Sequence, residues 1–209
     1  MTMELLISIL VVAPIFALLV GFCFSNHQEK PIFSSAITGV GVNFVVALTV
    51  LVLWLQGGME SVFVKGPVLY YAKETEFALS FFLDGYGLSY ILLSTFLTGI
   101  IILFSRTYLH REKGFKRFFN ILKFFYCGLM VLLLAGNLEI LFVGWEIIGV
   151  TSFFLISFYR ERYLPVKNAV KVVSLYRVAD ISMLLGIWVC HHYFGRSLNF
   201  GELNGLHNA

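Results

Sequence analysis

The residues of this sequence that could do chemistry are ionisable side chains set inside long apolar stretches. Glu146 lies near the middle of segment 138–158, in which Glu139 at the outer end is the only other ionisable residue. At about 1.5 Å of rise per residue, Glu146 would lie roughly 12 Å inside Leu138, near the centre of a hydrocarbon layer about 30 Å thick. A carboxylate at that depth needs a partner, water or a proton, so Glu146 is a candidate functional residue.

A second group of charges lies in the apolar segment 166–193. Four polar residues recur there at every third position: Lys171, Ser174, Arg177 and Asp180. On an α-helix this spacing lays neighbours along one drifting stripe, and Arg177 and Asp180 can pair, which lowers the cost of burying each. Lys171 would lie nearer the start of the helix, within reach of an internal site or of the interface.

Acids and bases distributed through a helix bundle are typical of proton relays, because a proton moves between titratable groups by short hops. We therefore interpret four residues as proton-relay candidates: Glu146, Lys171, Arg177 and Asp180. The alternative for Arg177 and Asp180 is that they only attach their helix to its neighbours. For Glu146 the alternative is a neutral carboxyl with a structural role.

The composition indicates an integral, multi-pass membrane protein. Of the 209 residues 59% are hydrophobic and 13% are charged, whereas soluble domains have roughly 45–50% and about 25%. The lipid bilayer is thus the expected environment of most of the chain. The formal net charge of +3 is small, which makes nucleic acid an unexpected partner.

Six apolar segments are long enough to cross a bilayer, and they lie at about 5–24, 32–55, 86–109, 118–136, 138–158 and 166–193. Residues 56–84 contain short apolar runs separated by glycine and proline, which predicts an outer loop with a β-hairpin. The predicted fold class is an all-α membrane protein in which residues 1–209 form a single domain of six transmembrane helices. We also expect the amine of Lys123 to reach the membrane surface, and a minimal turn at Gly136 and Asn137.

The distribution of basic residues predicts the orientation. The strongest cluster follows the third span and contains Arg106, Arg111, Lys113, Lys116 and Arg117. Short basic loops face the cytoplasm, so this cluster is expected to be a cytoplasmic flank, with both termini and the loop 56–84 outside. The expected location is the inner membrane of a bacterial cell or of an organelle.

No metal or cofactor site is predicted in this chain. The three cysteines form no C-x-x-C pair, and His191 and His192, beside Cys190, would point about 100° apart on a helix. Phosphate-binding loops, nucleotide fingerprints, iron–sulfur cysteine sets and nucleophile elbows do not occur in the sequence. Any redox chemistry would therefore belong to partner proteins.

Several motifs occur together between about residues 83 and 200: Asp84-Gly85, Glu112-Lys113-Gly114-Phe115-Lys116-Arg117-Phe118-Phe119, Gly144-Trp145-Glu146 and Arg177-Val178-x-Asp180. In this order they resemble the antiporter-like membrane subunits of respiratory complex I. The likeness is greatest to subunit 5, called chain L in bacteria. Related subunits occur in multisubunit cation/proton antiporters and in inorganic-carbon uptake complexes.

The resemblance implies proton transport through buried charges, driven in complex I by quinone reduction elsewhere in the assembly. Glu146 resembles the key membrane glutamate of the family, and three residues resemble supporting charged positions: Lys171, Arg177 and Asp180. It also implies a subunit without a redox site of its own, other membrane subunits as partners, and an N-terminal portion of a longer subunit. The alternatives are a cation/proton antiporter, a bicarbonate-uptake subunit, or a structural helix bundle for assembly.

Overall fold

The computed structural model describes residues 3–72, 75–194 and 199–200. Within them the chain forms six α-helices and one antiparallel pair of strands. In chain order these are α1 (Met3–Cys23), α2 (Glu29–Gln56), β1 (Val62–Ala72), β2 (Thr75–Leu83), α3 (Gly85–Tyr108), α4 (Phe115–Leu133), α5 (Leu138–Ile156) and α6 (Tyr163–Phe194). The predicted helical architecture and the hairpin within 56–84 are confirmed.

Five of the helices in the described residues are long and apolar enough to cross a membrane, namely α1, α2, α3, α5 and α6. The predicted count of six membrane spans is therefore not confirmed. The exception is α4, because its 19 residues include Lys116, Arg117 and Lys123. Large apolar side chains such as Phe16, on α1, and Phe104, on α3, remain exposed on the outside of the bundle, as expected of surfaces that contact lipid.

The bundle is organised around α4, which packs against α1, α2, α3 and α5. Glycines bring α4 and α5 into close contact. A Cβ atom at Gly144 would lie 2.6 Å from the backbone nitrogen of Leu132, and one at Gly128 would lie 2.6 Å from Cγ2 of Ile147. Small residues at helix contacts allow this approach in membrane proteins, where dispersion rather than the hydrophobic effect holds helices together.

A proline in α1 connects α1 to the centre of the bundle. Pro14 has no N–H group and so cannot donate to the carbonyl of Leu10, four residues earlier. Instead Nδ2 of Asn43 on α2 donates to that carbonyl (3.0 Å) and also to the hydroxyl of Tyr126 on α4 (3.2 Å). The Tyr126 hydroxyl is 3.0 Å from Oγ1 of Thr95 on α3, so one hydrogen-bonded group joins four helices.

The hairpin covers one end of the bundle and contacts the turn between α4 and α5. Asn137 caps α5, because its Oδ1 accepts from the backbone N–H of Ile140 while its Nδ2 donates to the carbonyl of Ala78. The backbone N–H of Phe82 donates to the carbonyl of Leu134 (3.0 Å). These bonds hold residues 134–137 outside α4, so the turn is longer than the two residues predicted.

The loops joining α1 to α2, α3 to α4 and α5 to α6 meet at the opposite end. Nδ1 of His110 lies 2.7 Å from Oε2 of Glu29, which links the first two of these loops. Nη2 of Arg117 donates to the carbonyl of Phe158 (2.6 Å), which links the second and third. The basic cluster predicted from the sequence is thus gathered at one end of the molecule, away from the hairpin.

Candidate functional site

The candidate site lies between α5 and α6, where two charged residues predicted to be functional meet. Nη1 of Arg177 on α6 donates to both carboxylate oxygens of Glu146 on α5, at 2.9 and 2.8 Å. The two helices run antiparallel, which places the midpoints of segments 138–158 and 166–193 at the same level. A charge-assisted hydrogen bond of this kind lowers the cost of holding each ion away from water.

Asp180 binds the same arginine and a second donor. Its Oδ2 lies 3.5 Å from Nη1 of Arg177, and its Oδ1 accepts a hydrogen bond from Nε1 of Trp145 (2.9 Å). Trp145 directly precedes Glu146 in the chain. One turn of α5 therefore carries the Glu146 carboxylate and also binds the Asp180 carboxylate of α6 through the Trp145 indole. The predicted pairing of Arg177 with Asp180 is present, and the role of Trp145 was not predicted.

The three charged side chains of the site differ in how exposed they are. The side chain of Arg177 is 52% exposed, that of Glu146 26% and that of Asp180 10%. They border a cavity of about 120 Å³ between α5 and α6, whose lining also includes Trp145, Ile148, Gly149, Val150, Ser152, Val173 and Tyr176. The site is therefore enclosed on the α5 side and open where α6 faces outward.

Lys171 lies apart from this group. Its side chain is exposed, it does not line the cavity, and within the described residues it forms no hydrogen bond or ion pair. The reason is helical geometry: each step of three residues turns back by about 60°, so three steps place Lys171 opposite Asp180. The structure thus brings together Glu146, Arg177 and Asp180, and leaves Lys171 on another face of α6.

Lys123 on α4 does not reach the membrane surface as predicted. Only 4% of the residue is exposed, and its amine donates to the carbonyl of Ala17 (3.3 Å) and to Oγ of Ser35 (3.2 Å). The amine is held by α1 and α2 because a glycine, Gly21, leaves room for it. The sequence offered one signal, a lysine well inside an apolar helix, but not the neighbours that surround it.

A histidine also has a partner that was not predicted. Nε2 of His191 on α6 lies 2.5 Å from Oε1 of Glu139 at the start of α5. This contact joins the start of α5 to the last turn of α6. No group of three or more metal-ligating side chains occurs among the residues that the structure describes, and the predicted absence of a metal site stays a prediction.

The arrangement can exchange protons. One arginine shared by two carboxylates, Glu146 and Asp180, can balance either charge by a small side-chain movement. A carboxylate left without its cation in a bilayer favours binding a proton. Such a site can therefore couple the position of a side chain or helix to the binding and release of a proton.

Two family models match the sequence, and one of them covers this site. One, described as NADH-ubiquinone oxidoreductase (complex I), chain 5 N-terminus, matches residues 70–119. The other, described as NADH:quinone oxidoreductase/Mrp antiporter, TM, matches residues 135–209. Together they match more than half of the chain. The second includes all three interacting residues, Glu146, Arg177 and Asp180.

Curated relatives match over most of this chain. NADH-quinone oxidoreductase subunit L of Buchnera aphidicola subsp. Baizongia pistaciae is 28% identical over 191 residues, which are 88% of this chain and 31% of the relative. NADH-ubiquinone oxidoreductase chain 5 of Sus scrofa is 31% identical over 170 residues, 80% of this chain and 28% of the relative. This chain spans about a third or less of the length of the curated relatives it matches.

A solved structure shares the fold. One chain in the structure of the membrane-bound sulfane sulfur reductase, an archaeal respiratory membrane complex, superposes with a TM-score of 0.73 and 15% sequence identity. The superposition covers 96% of this chain and 39% of that chain. At this identity the similarity concerns the fold alone.

Proposed function

Because this chain belongs to the family of antiporter-like membrane subunits of NADH:quinone oxidoreductase that includes subunit L and chain 5, and matches part of their length, we propose that it translocates protons. The carboxylate of Glu146 would bind the protons within the membrane, and Arg177 and Asp180 would control when it does so. The chain would act as a membrane-arm component without a redox site. The observation that carries this proposal is the arginine shared between two carboxylates.

The proposed mechanism uses the two partners of Arg177. While its Nη1 bonds to Glu146, the negative charge of that carboxylate is balanced. When the guanidinium turns toward Asp180, Glu146 loses its cation and takes up an excess proton that hydronium in the adjoining cavity delivers, leaving neutral water. Return of Arg177 expels the proton. Trp145 would keep Asp180 in place during this exchange, because its indole N–H can only donate.

The test is proton uptake by membrane vesicles that contain the wild-type chain or a Glu146→Gln variant. Glutamine keeps the size of the side chain but removes the proton-binding group, so we expect uptake to fall by about a hundredfold or more, the scale of a lost proton-transfer group. Glu161→Gln, in the exposed loop before α6, is the matched control and should leave uptake unchanged. Equal uptake by wild type and Glu146→Gln would contradict the proposal.

We also propose that the chain works beside other membrane subunits. The relatives are named as oxidoreductase subunits, and most of α6 is uncovered, including apolar residues such as Leu175 (73% exposed) and Val178 (65%). Beside them lies the half-exposed Arg177, which lipid tails would not accommodate well. Photo-crosslinking from positions 175 and 178 in native membranes should capture a protein. Crosslinks to lipid alone would contradict this part of the proposal.

A cation/proton antiporter is the second candidate, because one matching family model is described by both NADH:quinone oxidoreductase and Mrp antiporter. The two functions differ in what drives transport. A respiratory subunit moves protons when NADH is supplied, whereas an antiporter moves them in response to a sodium or potassium gradient. Measuring uptake under each condition in the same vesicles separates the two.

We propose further that α4 crosses the membrane as the sixth span, although its basic residues set it apart from the other helices. Lys123 is covered by neighbouring helices, and Lys116 and Arg117 lie in its first turn, at the cationic end of the molecule. Short basic loops remain in the cytoplasm, which would place the hairpin and both termini outside. A cysteine introduced at Glu60, between α2 and β1, should react with an impermeant thiol reagent added outside intact cells.

A further inference from the structure

The side chain of Lys123 forms a second buried ionic centre, on the opposite side of α4 from α5. Its amine contacts two neutral oxygens, the Ala17 carbonyl of α1 and the Ser35 hydroxyl of α2. The Ser35 hydroxyl donates its own hydrogen to the carbonyl of Ile32 (2.8 Å), so it can only accept from the amine. An ammonium has three N–H groups, and these contacts use two of them.

No carboxylate balances this cation in the described part of the chain. The other ionisable residues of the three surrounding helices are Glu4 and Cys23 on α1, Glu29 and Lys30 on α2, and Lys116, Arg117, Tyr126 and Cys127 on α4. The Glu29 carboxylate is occupied by His110 and by the backbone N–H of Arg111. Holding an ammonium in a bundle core without a counter-ion costs several kcal/mol unless water or loss of the proton relieves it.

Two orphaned oxygens lie along the same surface of α4. Oδ1 of Asn120, one turn before Lys123, is buried without a hydrogen-bond partner, and so is Oδ1 of Asn43 beside Tyr126. The amine and the Asn120 oxygen border the same space at Gly21, where a Cβ atom would lie 1.8 Å from Nζ and 2.8 Å from Oδ1. Buried acceptors are rarely left unpaired, so these oxygens require donors.

There is room for water beside this surface. Ala17 and Ser35 also line a crevice of about 280 Å³ between α1 and α2, large enough for several water molecules. Seven residues before Lys123, the amine of Lys116 donates to the carbonyls of Phe22 (3.2 Å) and Phe24 (2.5 Å) at the end of α1. Polar groups therefore continue from the end of the bundle to its interior.

We propose that the space where α1, α2 and α4 meet is a hydrated cleft in which the Lys123 amine binds and releases protons, separately from the Glu146 site. Water would donate to the orphaned Asn120 oxygen and accept from the third N–H of the ammonium. In the exchange, an N–H bond of the ammonium breaks and its proton passes to a bound water, leaving a neutral amine with its lone pair. The water passes its excess proton along the cleft. This inference goes beyond the proposed function, which uses only α5 and α6.

The test follows the amine protons directly and does not depend on transport. The full chain is labelled with ¹⁵N-lysine, placed in lipid bilayers and transferred into D₂O, and the Nζ resonances are followed by solid-state NMR. The Lys123 resonance is identified by its loss in Lys123→Met and, independently, in Lys123→Arg, so one unstable variant does not prevent assignment. We expect deuterium to replace the Lys123 protons within minutes, as at the exposed Lys167. Protons that persist for hours, while those of Lys167 exchange, would show a dry amine and overturn the proposal.

A second measurement separates proton exchange from a fixed positive charge. Arginine keeps the cation but does not give up its proton, whereas methionine removes both. If Lys123 exchanges protons on a transport route, both variants should slow proton uptake by vesicles by about a hundredfold or more, the scale of a lost proton-transfer group. Wild-type uptake by Lys123→Arg would show a fixed charge and overturn the transport role. If wild-type vesicles take up no protons at all, the proposed function fails, and the deuterium experiment still decides whether the amine exchanges protons.

Discussion

α4 and α6 are both largely apolar helices with charged residues in their interior, but their surroundings differ. α4 is enclosed by four other helices, and the amine of Lys123 is almost completely covered. α6 packs chiefly against α5, and among its side chains that the structure describes only Ala169 and Asp180 are buried. The buried charge of α4 is thus covered on all sides, whereas most of α6 is uncovered.

The difference shows that a helix with apolar side chains need not be buried inside the protein when the surrounding solvent is lipid. In water an exposed leucine is costly, whereas in a bilayer it is the exposed lysine that is costly. α4 can hold Lys123 because α1 and α2 supply oxygen ligands. Among the described residues, the half-exposed Arg177 has two ligands, Glu146 on α5 and Asp180 on its own helix.

The largest expected effect comes from adding a methyl group where α4 is enclosed. In Gly144→Ala the new Cβ would lie 2.6 Å from backbone of Leu132, which cannot move aside like a side chain. We expect a loss of about 3 kcal/mol in stability, at the upper end of overpacking effects. The measurement is thermal unfolding in detergent.

Gly186→Ala on α6 provides the contrast, because no atom lies within 4 Å of the new Cβ. It should be neutral or stabilise the protein by up to about 1 kcal/mol through helix propensity. Equal losses from Gly144→Ala and Gly186→Ala would show that α6 is as tightly enclosed as α4.

A smaller effect is expected at the Lys123 centre. In Gly21→Ala the methyl group would overlap the amine, which lies at the end of a flexible side chain and can move. We expect a loss of about 1 to 2 kcal/mol, within the range for overpacking. Thermal unfolding of Gly21→Ala alone and combined with Lys123→Met measures their coupling, and the combination should lose less than the sum. Gly41→Ala on α2, with no atom within 4 Å, is the control.

The next effect concerns the indole at the α5–α6 site. Trp145→Phe removes the donor to Asp180 and should lower stability by about 1 kcal/mol, the usual value for one hydrogen bond. Trp188→Phe, on the exposed side of α6 (62% exposed), should lower it less. Thermal unfolding of both variants makes the comparison, and a larger loss at Trp188 would contradict the importance given to the indole bond.

The smallest effect is expected at Lys171. This residue is exposed and has no hydrogen-bond or ion-pair partner in the described chain, so Lys171→Met should change stability by less than about 0.5 kcal/mol, as surface substitutions usually do. Thermal unfolding in detergent measures the change. A loss as large as that of Trp145→Phe would show that the stripe predicted along α6 acts as one unit.

The sequence predicted the helices, the pairing of Arg177 with Asp180 and a similar depth for Glu146, for a simple reason. The length and depth of an apolar segment can be counted along the chain, and so can a spacing of three residues. Two antiparallel segments of known depth bring their midpoints to the same level. These features need no knowledge of how a helix is rotated about its axis.

Lys123 and Trp145 could not be placed in the same way, because their contacts depend on helix rotation. Whether Lys123 points to lipid or to α1 depends on which face of α4 packs inward. The space for its amine is left by Gly21, which lies more than a hundred residues away in the chain. The position of Lys171 could not be predicted for the same reason. The spacing shows that the polar stripe drifts around α6, but it does not show which face of α6 packs against α5. Three-residue spacing predicts neighbours well and distant partners poorly.

The hydrogen bond that links Asn43 to the helix of Pro14 constrains how these two positions can evolve. The amide of Asn43 supplies the hydrogen bond that Pro14 cannot make to the carbonyl of Leu10. A residue with its own N–H at position 14 would compete for that carbonyl, and an apolar residue at position 43 would leave the carbonyl without a donor. Across relatives, positions 14 and 43 should therefore vary together, although 29 residues separate them in the chain.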